Sequence, residues 1–161
     1  MSNAQFRFAN AIVSTDWLEA NLNDPRLRIV ECTTYLVSDA PDQPFRVESG
    51  RADYDKAHIP GAIFVDLQHE LSDNASPFHF TMPSPDRFAE AIGRRGIGPG
   101  TQVVLYSRKS VMWATRVWWM LRSVGFDDAA ILDGGWDNTR TLIELPDSSN
   151  PACASPKPLP P

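Results

Sequence analysis

The segment from Thr101 to Phe126 constrains this chain more than any other. Val103 to Tyr106 is a short apolar run with the length and β-branched content of a buried strand. Beyond Met112, the residues Ala114, Val117, Trp118 and Leu121 recur at helical spacing. Trp113, Trp119 and Met120 leave that helix little polar surface, so it is expected to be buried on most sides. A strand running straight into a helix aims unbonded backbone N–H groups, and the positive end of the helix dipole, at the loop between them. That loop, Ser107-Arg108-Lys109-Ser110-Val111-Met112, adds cations and hydroxyls to the backbone donors and so reads as an anion site.

At 161 residues and 42% hydrophobic content, the chain suits one domain with a substantial core. Its net charge of -5 argues against general nucleic-acid binding, because a phosphate backbone selects for a basic face. No run approaches the ~20 apolar residues of a membrane-spanning helix. The polar N-terminus also lacks a signal-peptide core, so the expected location is cytoplasmic, with no membrane partner. Cys32 and Cys153 lie far apart and outside any Cys-x-x-Cys pattern, and His58, His69 and His79 fall in separate segments without ligand spacing. Neither a metal nor a cofactor is expected.

Taken in order, residues 1–10 are set aside, Ser2-Asn3-Ala4 resembling an expression scar. Ser14 or Thr15 can cap a helix carrying Trp17, Leu18 and Leu22, which Asn23-Asp24-Pro25 ends. Leu27 to Thr33 reads as a strand with Cys32 near its C-terminal end, close to where a parallel sheet binds ligands; the plainer reading of that thiol is a small buried hydrophobe. Residues 35–51 are rich in Asp, Pro and Ser and read as a long loop with Phe45 as an isolated anchor. Tyr54 to His58 makes a helical turn in which His58 is a structural hydrogen-bonding group. Ala62 to Val65 is a second strand, followed by Asp66.

Ser84-Pro85-Asp86 opens a helix with Phe88, Ala91 and Ile92 facing inward. Ala129 to Leu132 is a last strand, ending in Asp133-Gly134-Gly135-Trp136. Trp113, Trp118 and Trp119 read as packing residues, Asp133 as a cap on the glycine turn, and Arg116 as the partner of Asp66 or Asp133. Residues 11–145 are expected to form the domain and 146–161 a proline-rich tail or linker. Alternating strands and helices with short connections argue for an α/β fold, a parallel sheet covered on both faces.

Three segments, in this order and spacing, resemble the rhodanese-like sulfurtransferase family: His58-Ile59-Pro60-Gly61-Ala62, the stretch Val103 to Leu121, and Leu132-Asp133-Gly134-Gly135-Trp136. The likeness spans Ile12 to Trp136. Through Arg116-Val117-Trp118-Trp119 it is greatest to the N-terminal domain of two-domain thiosulfate and 3-mercaptopyruvate sulfurtransferases. It implies a rhodanese-like fold with a parallel sheet of about five strands flanked by helices. It also implies a second similar domain or a homo-oligomer partner, and a small sulfur-containing anion as ligand.

The family's chemistry uses a cysteine at the first loop position, as in Cys-Arg-Lys-Gly-Val-Thr, which takes sulfane sulfur from thiosulfate or mercaptopyruvate as a persulfide. Ser107 holds that position here. A helix N-terminus and adjacent cations can lower a thiol pKa from ~8.5 until the thiolate dominates. A serine hydroxyl in the same place is not ionised and forms no persulfide. The expectation is therefore a non-catalytic domain, anion-binding or regulatory, with Arg108 and Lys109 attracting the anion. The alternative is an active sulfurtransferase working through Cys32 or a partner domain. A hydrolase reading of Ser107 lacks a Gly-x-Ser-x-Gly elbow and a histidine partner, and Trp113 stands where a Cys-x5-Arg phosphatase loop would need arginine.

Overall fold

The computed structural model describes residues 11–141, so Cys153 and the proline-rich segment 146–161 lie outside the described residues. The elements in chain order are β1 (Ile12–Val13), α1 (Thr15–Asn21), β2 (Leu27–Glu31), β3 (Thr34–Val37), β4 (Arg46–Ser49) and α2 (Arg51–Lys56). They continue with β5 (Ile63–Phe64), α3 (Pro85–Arg94), β6 (Gln102–Tyr106), α4 (Met112–Ser123), β7 (Ala129–Leu132) and a closing 3-10 helix, Gly135–Thr141. Local chemistry sets the helix starts. The Ser14 hydroxyl accepts the Trp17 N–H at 3.1 Å to open α1, and the Ser84 hydroxyl accepts the Arg87 N–H at 3.4 Å to open α3, with Pro85 in the first turn.

The main sheet has five strands in the order β1-β7-β6-β2-β5, all parallel. Side-chain alternation along the central strand β6 assigns its two faces. Val103 and Leu105 join a core cluster with Phe88 and Ile92 of α3 and Val117, Met120 and Leu121 of α4. Val104 and Tyr106 join a second cluster with Leu18 of α1 and Tyr54 of α2. Helices thus cover both faces, as the alternation of elements implies.

Three expectations are corrected. The segment 35–51 is not a plain loop, because β3 and β4 pair antiparallel from Thr34↔Ser49 to Val37↔Arg46, making a hairpin outside the main sheet. Phe45 anchors nothing deep; it is half exposed, with its ring 5.8 Å from that of His79. Helix α4 is buried on one side only. Trp113, Ala114, Val117, Met120 and Leu121 face the core, whereas Trp119 is 49% exposed. Among the described residues no helix is long and apolar enough to cross a membrane.

Candidate functional site

Parallel pairing brings the C-terminal ends of β2, β6 and β7 to one edge of the sheet, and the loop between β6 and α4 sits there. Its shape comes from its own bonds. The Ser110 N–H donates to Arg108 O at 2.6 Å across Lys109, whose φ of 61° is in the left-handed region. The Ser107 hydroxyl donates to Ser110 O at 2.6 Å, and the Ser110 hydroxyl accepts the Met112 N–H at 3.3 Å, satisfying one donor at the start of α4. The result is a cleft of about 180 Å³ lined by Ser107, Ser110, Val111, Gly134 and Gly135, with Lys109 and Asp137 also in its wall.

One glycine lets the far wall come close. Gly135 has φ 53°, and a Cβ there would lie 2.6 Å from Ser107 O. The Trp136 N–H donates to the same oxygen at 3.2 Å, tying the 3-10 helix to the first residue of the loop.

The two cations of the loop are placed differently. The Lys109 ammonium lies 5.0 Å from the centre of the Tyr35 ring, and Tyr35 donates its hydroxyl to Asp53 at 2.7 Å, so hairpin strand β3 borders the cleft's cation. Arg108 turns away from the cleft. Its Nε donates to Glu31 Oε1 at 2.6 Å and its Nη2 to Glu31 Oε2 at 3.3 Å. Nη2 also donates to Ala57 O, and the guanidinium stacks 3.7 Å from the Trp136 ring centre. Glu31 is fully buried and accepts the hydroxyls of Thr33 at 2.9 Å and Tyr106 at 2.7 Å as well.

A sequence profile described as Rhodanese-like domain matches residues 14–141. The chain belongs to the rhodanese-like family. Human 3-mercaptopyruvate sulfurtransferase is 36% identical over 135 residues, covering 80% of this chain and 43% of the relative. The 3-mercaptopyruvate sulfurtransferase of Escherichia coli strain K12 is 33% identical over 135 residues, covering 82% and 46%. Among solved structures, the Escherichia coli 3-mercaptopyruvate sulfotransferase superposes with a TM-score of 0.67 at 31% identity, covering 80% of this chain and 47% of that one. The chain thus spans less than half the length of these relatives.

Within this rhodanese-like domain, Ser107, Lys109, Ser110 and Val111 meet around the cleft, while Met112 opens α4 with its side chain half exposed. Arg108 is in the loop but not in the cleft wall. The expected pairing of Arg116 with Asp66 or Asp133 does not form. Arg116 Nη2 donates to Phe80 O at 2.8 Å and its guanidinium lies 4.9 Å from the Trp119 ring centre. Asp66 instead accepts the N–H and the ring nitrogen of His69, at 2.9 and 3.0 Å. Burial alone would raise the Asp66 pKa; the bonds from His69 and Ser49 outweigh it and hold the carboxyl below its usual range.

The cleft wall contains no histidine. His58 stacks on Tyr54, His69 meets Asp66, and His79 lies between Phe45 and Phe80. Among the described residues, no group of His, Cys, Asp and Glu is placed to hold a metal ion.

Cys32 has no exposed surface, and its thiol donates to Tyr106 O at 3.3 Å. Burial first, and the charge of Glu31 second, push its pKa far up. Iodoacetamide applied to the folded Cys153→Ser chain at neutral pH is therefore expected to leave Cys32 unmodified, and to label it once the chain is denatured. Intact mass before and after denaturation reads this directly, and rapid labelling of the folded chain would contradict the burial argument.

Sequence reasoning passed over Glu31, Thr33 and Trp136 as site residues. A signal was present in one case: Glu31 sits between Val30 and Cys32 in a stretch that reads as a strand of the sheet, and a carboxylate buried there demands a cation.

Proposed function

We propose that this chain is a non-catalytic rhodanese-like domain whose Ser107 loop binds a small sulfur-containing or similar anion, and that it works beside a second, thiol-bearing rhodanese-like domain. The observation that carries the reading is the group at the first loop position. A hydroxyl sits there, its proton given to Ser110 O, and the cleft wall offers no histidine to activate it. The greater length of the relatives supports a second domain, with residues 11–145 as the present domain and 146–161 as linker. A carrier role for Cys32 would require a thiolate within reach of an outside donor, and its burial and raised pKa weigh against that.

The test is intact mass after incubation with thiosulfate, on the native chain and on Ser107→Cys. In the variant, the introduced thiolate attacks the sulfane sulfur of thiosulfate; the S–S bond breaks, sulfite leaves with the electron pair, and the protein keeps one sulfur as a persulfide. The expected result is no added sulfur on the native chain and one on the variant. One sulfur on the native chain would overturn the non-catalytic reading.

A further inference from the structure

Rhodanese-like loops with an Arg-Lys pair invite the reading that both cations face the anion, and the geometry here separates them. Arg108 is 12% exposed at its side chain and its partner Glu31 is 0% exposed. The fork of the guanidinium meets both carboxylate oxygens, the pairing that planar arginine makes and lysine cannot. Around this pair, bonds converge from the other segments at the same sheet edge. Thr33, just after β2, bonds Glu31 through its hydroxyl and accepts the Arg108 N–H at 3.1 Å. Tyr106, the last residue of β6, bonds Glu31 and in turn accepts the Ile59 N–H at 3.3 Å. Ala57 accepts from Arg108, and Trp136 covers its guanidinium.

We infer that Glu31 and Arg108 form a charge-neutral latch that fixes the shape of the Ser107 loop and withdraws Arg108 from anion recruitment, leaving that task to Lys109 and the backbone donors. The inference deepens the anion-binding reading above and rests on it only for what the cleft recruits. A buried ion pair contributes little net stability over an apolar substitute, so its physical effect here is to hold one geometry. Opposite charges within hydrogen-bond distance also cancel at the cleft, whereas Lys109 stands in the cleft wall with Asp137 as the carboxylate there. Glu31 and Arg108 are thus positioning residues.

The test uses a thiol as a local electrometer. In a Ser107→Cys, Cys153→Ser background, the pKa of the introduced thiol is measured from the pH dependence of iodoacetamide alkylation. Glu31→Gln leaves the Arg108 charge uncompensated and is expected to lower that pKa, speeding alkylation at neutral pH about 3- to 10-fold, the equivalent of half to one pKa unit. Arg108→Met leaves Glu31 uncompensated and is expected to slow alkylation by a similar factor. The combined Glu31→Gln, Arg108→Met variant is expected to return within about 2-fold of the parent, as a neutral pair removed whole should. Lys109→Ala is expected to slow alkylation wherever it is introduced.

If the combined variant alkylates as slowly as Arg108→Met alone, the arginine charge acts at the cleft and the latch is wrong. The same conclusion follows if both single variants shift the pKa in one direction, which is what mere loosening would do. Should the combined variant not fold, Arg108→Lys keeps the charge and loses the fork. The latch then requires a lower melting temperature with the thiol pKa nearly unchanged, and a pKa shift at unchanged stability overturns it. Because the readout is a thiol pKa, failure of thiosulfate to bind the native chain in a calorimetric titration would count against the anion-binding reading and leave the latch standing.

Discussion

Glu31→Ala is expected to cost about 3–5 kcal/mol of folding stability, the range for breaking one side of a buried ion pair. The substitution removes the acceptor for Thr33, Tyr106 and both nitrogens of the Arg108 fork at once. Thr33 and Tyr106 have no exposed surface from which to find water, so their hydroxyls become unsatisfied donors. Arg108 keeps Ala57 O and the Trp136 face, but its charge has lost its counter-ion in a nearly dry site. Arg108→Ala should cost less, because the Glu31 carboxylate retains the hydroxyl donors of Thr33 and Tyr106. Surface pairs set the scale for comparison: Arg51 and Asp55 bond at 2.7 Å with side chains 59% and 53% exposed, and breaking that pair should cost under ~1 kcal/mol. Urea unfolding of the three variants orders these effects. A Glu31→Ala loss no larger than that of Asp55→Ala would remove the case for a buried, coupled network.

Much of this was readable in the chain because the signals were local. The Ser84 cap, Pro85 and the inward residues of α3 sit within a few positions of one another, and the strand–loop–helix at Ser107 is one continuous stretch. What was not readable depends on pairing across the chain. The β3–β4 hairpin joins Thr34 to Ser49 through a Pro- and Asp-rich connection, and Arg46 and Glu48 face solvent, so no apolar alternation announced β4. The exposure of Trp119 has a related cause: the helical spacing marks a stripe, and only the sheet beneath shows which part of a nearly all-apolar helix lies against it. The Glu31–Arg108 contact needs the order of strands in the sheet. Glu31 lies beside Tyr106 in the β2–β6 register, which brings the start of the next loop to its carboxylate. That adjacency turned the expected anion ligand Arg108 into an inward-facing one.

Gly135→Ala is the other substitution expected to act strongly, and it acts on backbone rather than on charge. At φ 53° the residue is in the left-handed region, and its new methyl would meet Ser107 O at 2.6 Å, closer than real Cβ contacts come. Neither side yields easily, because the obstructing atom is backbone and the Trp136 N–H already holds it. Overpacking together with the strained φ is expected to cost about 2–4 kcal/mol. Gly93 in α3 supplies the contrast, since a Cβ there meets nothing within 4 Å and Gly93→Ala should stabilise the chain by about 0.5–1 kcal/mol. Stability alone would not separate a damaged core from a displaced loop, so the same substitution belongs in the Ser107→Cys background. Moving the Ser107 carbonyl moves the first residue of the loop against its N–H donors, and misplacement by a fraction of an ångström is expected to slow sulfur uptake from thiosulfate by ~10-fold or more. Gly93→Ala in that background should leave the uptake rate unchanged. If Gly135→Ala lowers the unfolding midpoint yet takes up sulfur at the parent rate, the glycine serves the packing of the 3-10 helix alone, and the cleft wall does not set the loop's chemistry.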